Sequence, residues 1–285
     1  DRRVVLVLDP DFGAGPPLLL VHGLMTSSYS WRYVLETLGR HHRLIVPDLP
    51  GSGESDCPGV TYGAADTATL LGALMAELGI LGCPVVGNSM GGYLCMHLAL
   101  QRPEAMSALV NIHSPGFPEL RLYALRAALG LPGAGQLLDW MVRRDPVRWA
   151  HRNVHYRDEG LKSLEEARIY GAPLSSPAGR AAFASILRDT MDPFEMRAFQ
   201  RTLLDRTSRA EPFPVPLCLL WARQDPMVPP RFGRLYAQRV PSARLVYVEE
   251  ASHFAHVDQP EATAEAILEF LRAPGGGVSG STAER

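Results

Sequence analysis

Cysteine is scarce in this sequence of 285 residues, which contains only four. The four are widely separated, at Cys57, Cys83, Cys95 and Cys218. They have neither the C-x-x-C spacing of a metal or redox site nor the density of a disulfide-rich secreted domain, so we expect reduced and mostly buried thiols. Because no second His or Cys at ligand spacing accompanies His22, we expect no metal, and no other motif calls for a cofactor.

The sequence also lacks a strong charge of one sign and a long apolar run. Its 28 basic and 30 acidic residues give a net charge of −2, so we expect no binding to nucleic acid. No stretch approaches the roughly 18 apolar residues of a membrane span. We expect a cytoplasmic monomer or homodimer that acts on a small-molecule substrate. The chain does not begin with Met, which leaves room for a removed leader.

The sequence is instead rich in short, continuous apolar runs that alternate with helical patterns. The runs predict strands at 4–8, 18–23, 43–48, 83–87, 108–112, 215–221 and 244–248. The segments between them predict helices at 29–39, 63–79, 93–101, 231–239 and 261–271. Short apolar strands of this kind are typical of a parallel sheet that helices cover on both faces. The predicted fold class is therefore α/β, with a mainly parallel, doubly wound sheet.

The alternation stops between residues 116 and 211, where no run resembles a strand. Amphipathic segments replace it at 120–129, 136–142, 161–169, 177–188 and 193–204. We interpret residues 116–211 as an inserted helical cap, and residues 1–115 and 212–273 as the α/β core. Residues 274–285 are rich in Gly and Ser and are expected to be a disordered tail.

The most informative stretch is 83–92, where an apolar strand leads into Gly87-x-Ser89-x-Gly91 and then into a helix. A turn this sharp brings helix and strand close together, and glycines remove the side chains that would collide. The serine at the apex is then exposed for attack on a substrate. Ser89 is therefore the predicted nucleophile.

A serine hydroxyl needs a base to take its proton and a carboxylate to orient that base. In parallel sheets such residues lie on loops at the carboxyl ends of strands. Asp225 directly follows the strand at 215–221, and His253 follows the strand at 244–248. The predicted catalytic set is Ser89, Asp225 and His253. The predicted oxyanion hole consists of two backbone N–H groups. One is that of Met90, which follows the nucleophile at the N-terminus of the helix, and the other is that of Leu24, in the loop after the strand at 18–23.

Several alternatives remain open on the sequence alone. Asp225 precedes a proline and is also compatible with capping the next helix. Asp258, Glu249 and Glu250 are rival acids beside His253, and Glu119 is the first acid after the strand at 108–112. His256 is a rival base, whereas His22 suits a structural hydrogen bond. Asp48 and the glycines after it suit a tight connection, because the Gly-Lys-Ser/Thr of a phosphate loop is missing.

Taken together, these motifs resemble the α/β-hydrolase superfamily over nearly the whole chain outside the cap. The resemblance rests on 22–31, 48–55, 87–92, Asp225 and 252–254. Residues 87–92 are similar to the meta-cleavage-product C–C hydrolases, although Phe254 stands where those enzymes usually carry Trp. Residues 26–31 resemble the haloalkane dehalogenases and epoxide hydrolases, but those enzymes use an aspartate nucleophile, which Ser89 argues against.

The function expected is that of a cofactor-independent serine hydrolase, acting on a small to medium, mostly apolar carboxylic ester, lactone or thioester. One alternative is hydrolysis of a C–C bond in a diketone acid. An alternative of another class is a capped small-molecule receptor with weak or no turnover. Arginines of the cap, among them Arg143, Arg144, Arg148 and Arg152, are candidate partners for a substrate carboxylate. The simpler interpretation is that they are solvated charges on an exposed helix face.

Overall fold

The computed structural model describes residues 13–59 and 61–273. Within them a single six-stranded parallel sheet has the order β2-β1-β3-β4-β5-β6. Its strands are β1 (Pro17–Val21), β2 (Arg43–Ile45), β3 (Cys83–Asn88), β4 (Met106–Ile112), β5 (Leu217–Ala222) and β6 (Arg244–Val248). The predicted α/β class with a parallel, doubly wound sheet is confirmed. The strand predicted at 4–8 and the tail predicted at 274–285 lie outside the described residues.

Alternating side chains of each strand enter two different cores. On β1, Leu19 and Val21 face one apolar cluster, whereas Leu18 and Leu20 face the other. The same alternation on β5 sends Trp221 to the first cluster. A strand buried on both faces needs apolar residues at every position, which is why its sequence is a continuous apolar run.

Helices cover both faces of the sheet in the described chain. The described chain contains the helices α1 (Leu35–Gly39), α2 (Ala64–Glu77), α3 (Met90–Gln101), α4 (Leu120–Leu129), α5 (Ala134–Arg143), α6 (Pro146–Asn153), α7 (Leu164–Gly171), α8 (Pro177–Asp189), α9 (Pro193–Ser208), α10 (Pro230–Arg239), α11 (Ala255–Asp258) and α12 (Pro260–Arg272). The single helix predicted at 29–39 is wrong. A 3₁₀ turn at Ser28–Trp31 precedes the short α1 instead, because aromatic and β-branched residues there are weak helix formers and pack inward.

The segment between β4 and β5 folds as α4–α9, and we call it the helical insertion. The sequence did not predict α6, which is only eight residues long. A buried ion pair joins the helical insertion to the rest of the chain: Arg32 Nη2 lies 3.1 Å from Glu166 Oε1. The hydroxyl of Tyr156 donates to the same carboxylate, so this charge is both paired and hydrogen-bonded, as a buried charge requires.

The structure also bears on the apolar runs and the cysteines. None of the helices in residues 13–59 and 61–273 is long and apolar enough to cross a membrane. The four cysteines are free thiols, and three of them, Cys83, Cys95 and Cys218, are buried, as expected.

His97 on α3 predicts a dependence of stability on pH. Its ring stacks on Phe199 at 4.8 Å between centroids, and burial lowers the pKa of His97 to about 4. An unfolded histidine binds a proton near pH 6.5. Between pH 6.5 and about 4 the unfolded state therefore holds the extra proton, and the free energy of unfolding falls as pH falls, by about 1.4 kcal/mol per pH unit.

His97→Phe, which keeps an aromatic ring on Phe199, should make the slope of unfolding free energy against pH shallower by about that amount in the same window. Urea titrations at pH 7, 6, 5 and 4.5 measure the slope. Phe199→Leu is the matched control, since it weakens the same packing without removing a titrating group. Equal slopes for wild type and His97→Phe would contradict the prediction.

Candidate active site

The turn between β3 and α3 places Ser89 at the carboxyl end of β3, a central strand of the sheet. Its φ of 52° is in the left-handed region that side chains rarely adopt. The Ser89 N–H donates to the carbonyl oxygen of Ile112 on β4 at 2.7 Å, which anchors the turn. A Cβ added to Gly91 would lie 2.3 Å from the carbonyl oxygen of Val21. A Cβ on Gly87 would lie 2.6 Å from a backbone nitrogen of α3, so only glycine fits at either position.

The loops after β5 and β6 bring Asp225 and His253 to this serine. His253 Nε2 lies 2.8 Å from Ser89 Oγ, and His253 Nδ1 lies 2.8 Å from Asp225 Oδ2. Asp225 is 4% exposed and His253 is 2% exposed. The structure therefore joins the three side chains in one hydrogen-bonded row. The order is hydroxyl, imidazole and carboxylate, which can move a proton from the hydroxyl to Nε2.

Both oxygens of Asp225 are occupied. Oδ1 accepts the backbone N–H groups of Met227 and Val228 at 2.7 Å and 2.9 Å, while Oδ2 faces His253. Burial alone would raise the pKa of Asp225, but the adjacent His253 and the hydrogen bonds from His113 and His253 outweigh it and hold that pKa well below its usual range. The carboxylate is ionised, and it orders its own turn rather than capping α10, which begins later.

The rival acids have other partners. Asp258 Oδ2 accepts hydrogen bonds from the backbone N–H and the hydroxyl of Ser252, both at 2.8 Å, so it fixes the loop that carries His253. The other three carboxylates, Glu119, Glu249 and Glu250, form ion pairs with arginines.

The rival histidines have different surroundings from His253. His22 Nε2 accepts the backbone N–H of Leu49 at 2.9 Å, and its Nδ1 lies 2.8 Å from the carbonyl oxygen of Gly23. These contacts match the structural role expected for His22. His256 is fully buried with its ring 4.5 Å from that of Trp31, and burial lowers the pKa of His256 well below its usual value.

The two residues predicted to supply oxyanion donors flank the serine. Met90 is the first residue of α3, directly after Ser89, where the helix dipole favours negative charge. Leu24 borders the same cavity as Ser89. The adjacent Gly23 packs closely under the turn, since a Cβ there would lie 3.1 Å from that of Ser89. Their role as oxyanion donors stays a prediction.

Two residues of the site were missed by the sequence reasoning. Asn88 donates from Nδ2 to the carbonyl oxygen of His253 at 3.4 Å, which ties the serine turn to the histidine loop. His113, fully buried, places Nδ1 2.9 Å from Asp225 Oδ2. His113 directly follows β4, so the rule that functional side chains follow strand ends could have found it.

His113, Asp225 and His253 also meet the loose spacing of a metal-ligand set, with their ligand atoms within 4.8 Å of one another. The separations of 2.8 Å and 2.9 Å from Oδ2 are hydrogen-bond distances. The His253 contact is a hydrogen bond, and the His113 contact is as short but less well aligned.

A cavity of about 340 Å³ opens onto Ser89 and His253. Its walls are mostly apolar, with Phe117, Phe232 and Phe254 among them. The helical insertion supplies part of the wall, through Arg121, Leu122, Leu125, Asn153, Leu187 and Met191. Four arginines of the expected cap were candidate partners for a substrate carboxylate, but none of them lines the cavity: Arg143, Arg144, Arg148 and Arg152. A second cavity of similar volume shares no residue with this one.

Comparisons with known proteins agree with this architecture. A family model described as the alpha/beta hydrolase fold matches residues 16–260. The chain is 28% identical over 273 residues to a pimeloyl-[acyl-carrier protein] methyl ester esterase of Aeromonas hydrophila, covering 91% of this chain and 97% of that protein. It is 26% identical over 271 residues to a 2-hydroxy-6-oxo-2,4-heptadienoate hydrolase of Pseudomonas putida, covering 92% and 91%.

A solved structure of a thermophilic esterase from Thermogutta terrifontis superposes with a TM-score of 0.72 at 24% identity, covering 95% of this chain and 98% of that one. At this level of identity the likeness concerns the fold alone.

Proposed function

Because the chain belongs to the α/β-hydrolase fold family, we propose that it is a cofactor-independent serine hydrolase of small to medium esters, lactones or thioesters with an apolar acyl group. The observation that carries the proposal is the unbroken row from Ser89 Oγ through His253 to Asp225, with both hydrogen bonds at 2.8 Å. Family membership supports hydrolysis, and the row supports a serine mechanism.

The proposed reaction has two halves. His253 Nε2 takes the proton of the Ser89 hydroxyl while Oγ attacks the carbonyl carbon, and the resulting oxyanion accepts hydrogen bonds from the N–H groups of Leu24 and Met90. His253 then gives the proton to the leaving group, which departs and leaves an ester on Ser89. A water molecule, activated by His253 in the same way, releases the acid and restores the hydroxyl. Asp225 keeps the imidazole tautomer correct throughout.

The cavity supports an apolar acyl group. Its walls are mainly aliphatic and aromatic, and such walls gain free energy by removing apolar surface from water. We propose that the helical insertion is the cap expected from the sequence and that it covers this cavity. The named esterase among the relatives is consistent with cleavage of an ester bond.

A fluorophosphonate probe tests the proposal, because it phosphonylates a serine only when a base activates the hydroxyl. We expect stoichiometric labelling of the wild-type protein and turnover of p-nitrophenyl esters that depends on acyl length. Labelling without turnover of any ester would favour the C–C hydrolase. No labelling and no turnover would favour the receptor.

One cavity residue bears on the second candidate, the C–C hydrolase. Arg121 on α4 lines the cavity and is the cation there that could meet a substrate carboxylate. Its Nη2 already lies 2.6 Å from Glu119 Oε2, and this pairing weakens the case. The named dienoate hydrolase among the relatives is consistent with the alternative.

Arg121→Ala should therefore change kcat/KM by less than about threefold for both acidic and neutral substrates, since its charge is already paired. Arg148→Ala, which does not line the cavity, is the control. A loss above tenfold confined to a dienoate or another acidic substrate would instead support the C–C reaction.

A further inference from the structure

His113 occupies a position that the proposed reaction does not use. It is the first residue after β4, and its N–H donates to the carbonyl oxygen of Leu220 on β5 at 3.2 Å. Its φ is 53°, in the left-handed region, and its side chain is fully buried. A histidine in that backbone conformation carries strain, which persists only where the surrounding structure enforces it.

The left-handed backbone at His113 places its imidazole ring beside the carboxylate of Asp225. His113 Nδ1 lies 2.9 Å from Asp225 Oδ2, the same oxygen that lies 2.8 Å from His253 Nδ1. The His113 nitrogen is within hydrogen-bond distance, although it is not aimed straight at the oxygen. Two imidazole nitrogens thus face one carboxylate oxygen from the ends of β4 and β6, the strands on either side of β5, while the backbone holds the other oxygen.

The imidazole of His113 is uncharged at neutral pH. Burial lowers the pKa of His113, against the opposing effect of Asp225, so the ring is neutral at pH 7. Neither ring nitrogen has a well-aligned hydrogen-bond partner among the described residues, and Oδ2 of Asp225 is the acceptor that lies 2.9 Å from Nδ1. The other titratable groups that act on it are His253, His256 and Asp258.

We propose that His113 is a positioning residue, whose Nδ1–H group, 2.9 Å from Asp225 Oδ2, holds that oxygen against Nδ1 of His253. The inference rests on the proposed serine mechanism, because it concerns the orientation of the same base. His113 does not line the cavity, so it acts on the rate through Asp225 and not on substrate binding.

Two substitutions separate the donor from the backbone. His113→Gly removes the donor and suits the left-handed backbone. His113→Asn also tolerates that backbone and carries an amide N–H near the place of Nδ1. We expect the glycine variant to lose about 10- to 100-fold in kcat and in fluorophosphonate labelling rate, the size expected for a lost hydrogen bond to a charged group. KM should stay within threefold, and the asparagine variant should recover most of the rate.

The pH profile gives a readout that a merely structural role would not move. A carboxylate with one donor fewer stabilises the protonated imidazole more strongly, so the acid limb of the glycine variant should shift to higher pH. Val110→Ala, on the same strand and fully buried, is the control for lost packing and should leave the limb in place. If the glycine variant does not fold, His113→Ala, which lacks the donor and bears the smallest side chain with a Cβ, takes its place in the comparison with asparagine.

The inference is overturned if the donor-free variant labels at the wild-type rate with an unmoved acid limb, or if the asparagine variant is as slow as the donor-free one. These results differ from failure of the proposed function, in which the wild-type protein itself does not label at Ser89.

Discussion

Replacing Ser89 with alanine is expected to lower kcat by about 10⁶, the size found when the nucleophile of a serine hydrolase is removed. The hydroxyl oxygen is the atom that forms the bond to the acyl group, and no other hydroxyl is expected to reach His253 Nε2 in the same geometry. Fluorophosphonate labelling should disappear with the activity. The measurement is the rate of p-nitrophenyl ester hydrolysis by the purified variant, together with its thermal melt.

The fold should survive this substitution. The left-handed backbone at Ser89 is set by the glycines around it, and alanine bears the same Cβ as serine. Ser30→Ala is the control for loss of a serine hydroxyl, because Ser30 is buried away from the cavity and its hydroxyl makes no hydrogen bond within the described chain. That variant should keep nearly full activity. Retention of even a tenth of the wild-type rate by Ser89→Ala would mean that another residue is the nucleophile.

Asp225→Asn is expected to lower kcat by about 10⁴ through the wrong imidazole tautomer. Oδ1 accepts two backbone N–H groups, so an asparagine would keep its carbonyl oxygen there and turn its NH₂ group towards the histidines. His253 Nδ1 would then accept a hydrogen bond, and its proton would move to Nε2, where it blocks proton transfer from Ser89. Activity should recover in part at high pH if hydroxide can substitute for the base.

The control variants for this prediction are the rival acids. Asp258→Asn should cost less, because Asp258 holds the loop through Ser252 and does not contact the imidazole. Glu119→Gln should be nearly neutral for activity, since Glu119 pairs with arginines. A loss below tenfold for Asp225→Asn, with a much larger loss for Glu119→Gln, would show that the acid comes from the other loop.

The sheet and the serine turn were predictable because their signals are local. A strand buried on both faces is apolar at every position, and the serine turn needs glycines at fixed offsets from Ser89. Asp225 and His253 followed from one further rule, that functional side chains follow strand ends. Chain order and spacing then sufficed to bring them together.

The parts that were not predictable depend on contacts distant in sequence. α6 has only eight residues, too few for its helical pattern to stand out in the sequence, and a helix this short depends on packing against its neighbours. The role of His113 depends on a left-handed backbone and on the position of Asp225, neither of which a residue count shows. Arg121 lines the cavity and the arginines of α5 and α6 do not, because helix orientation depends on packing.

The central claim is that Ser89 carries the acyl group during turnover, and peptide mapping of the trapped acyl-enzyme tests it most directly. The wild-type protein is mixed with p-nitrophenyl acetate, quenched in acid within the burst phase, digested and analysed by mass spectrometry. The proposed mechanism predicts one acetyl group per chain, located on Ser89, and none in Ser89→Ala. An acetyl group on another residue, or turnover without any acylated serine, would contradict it.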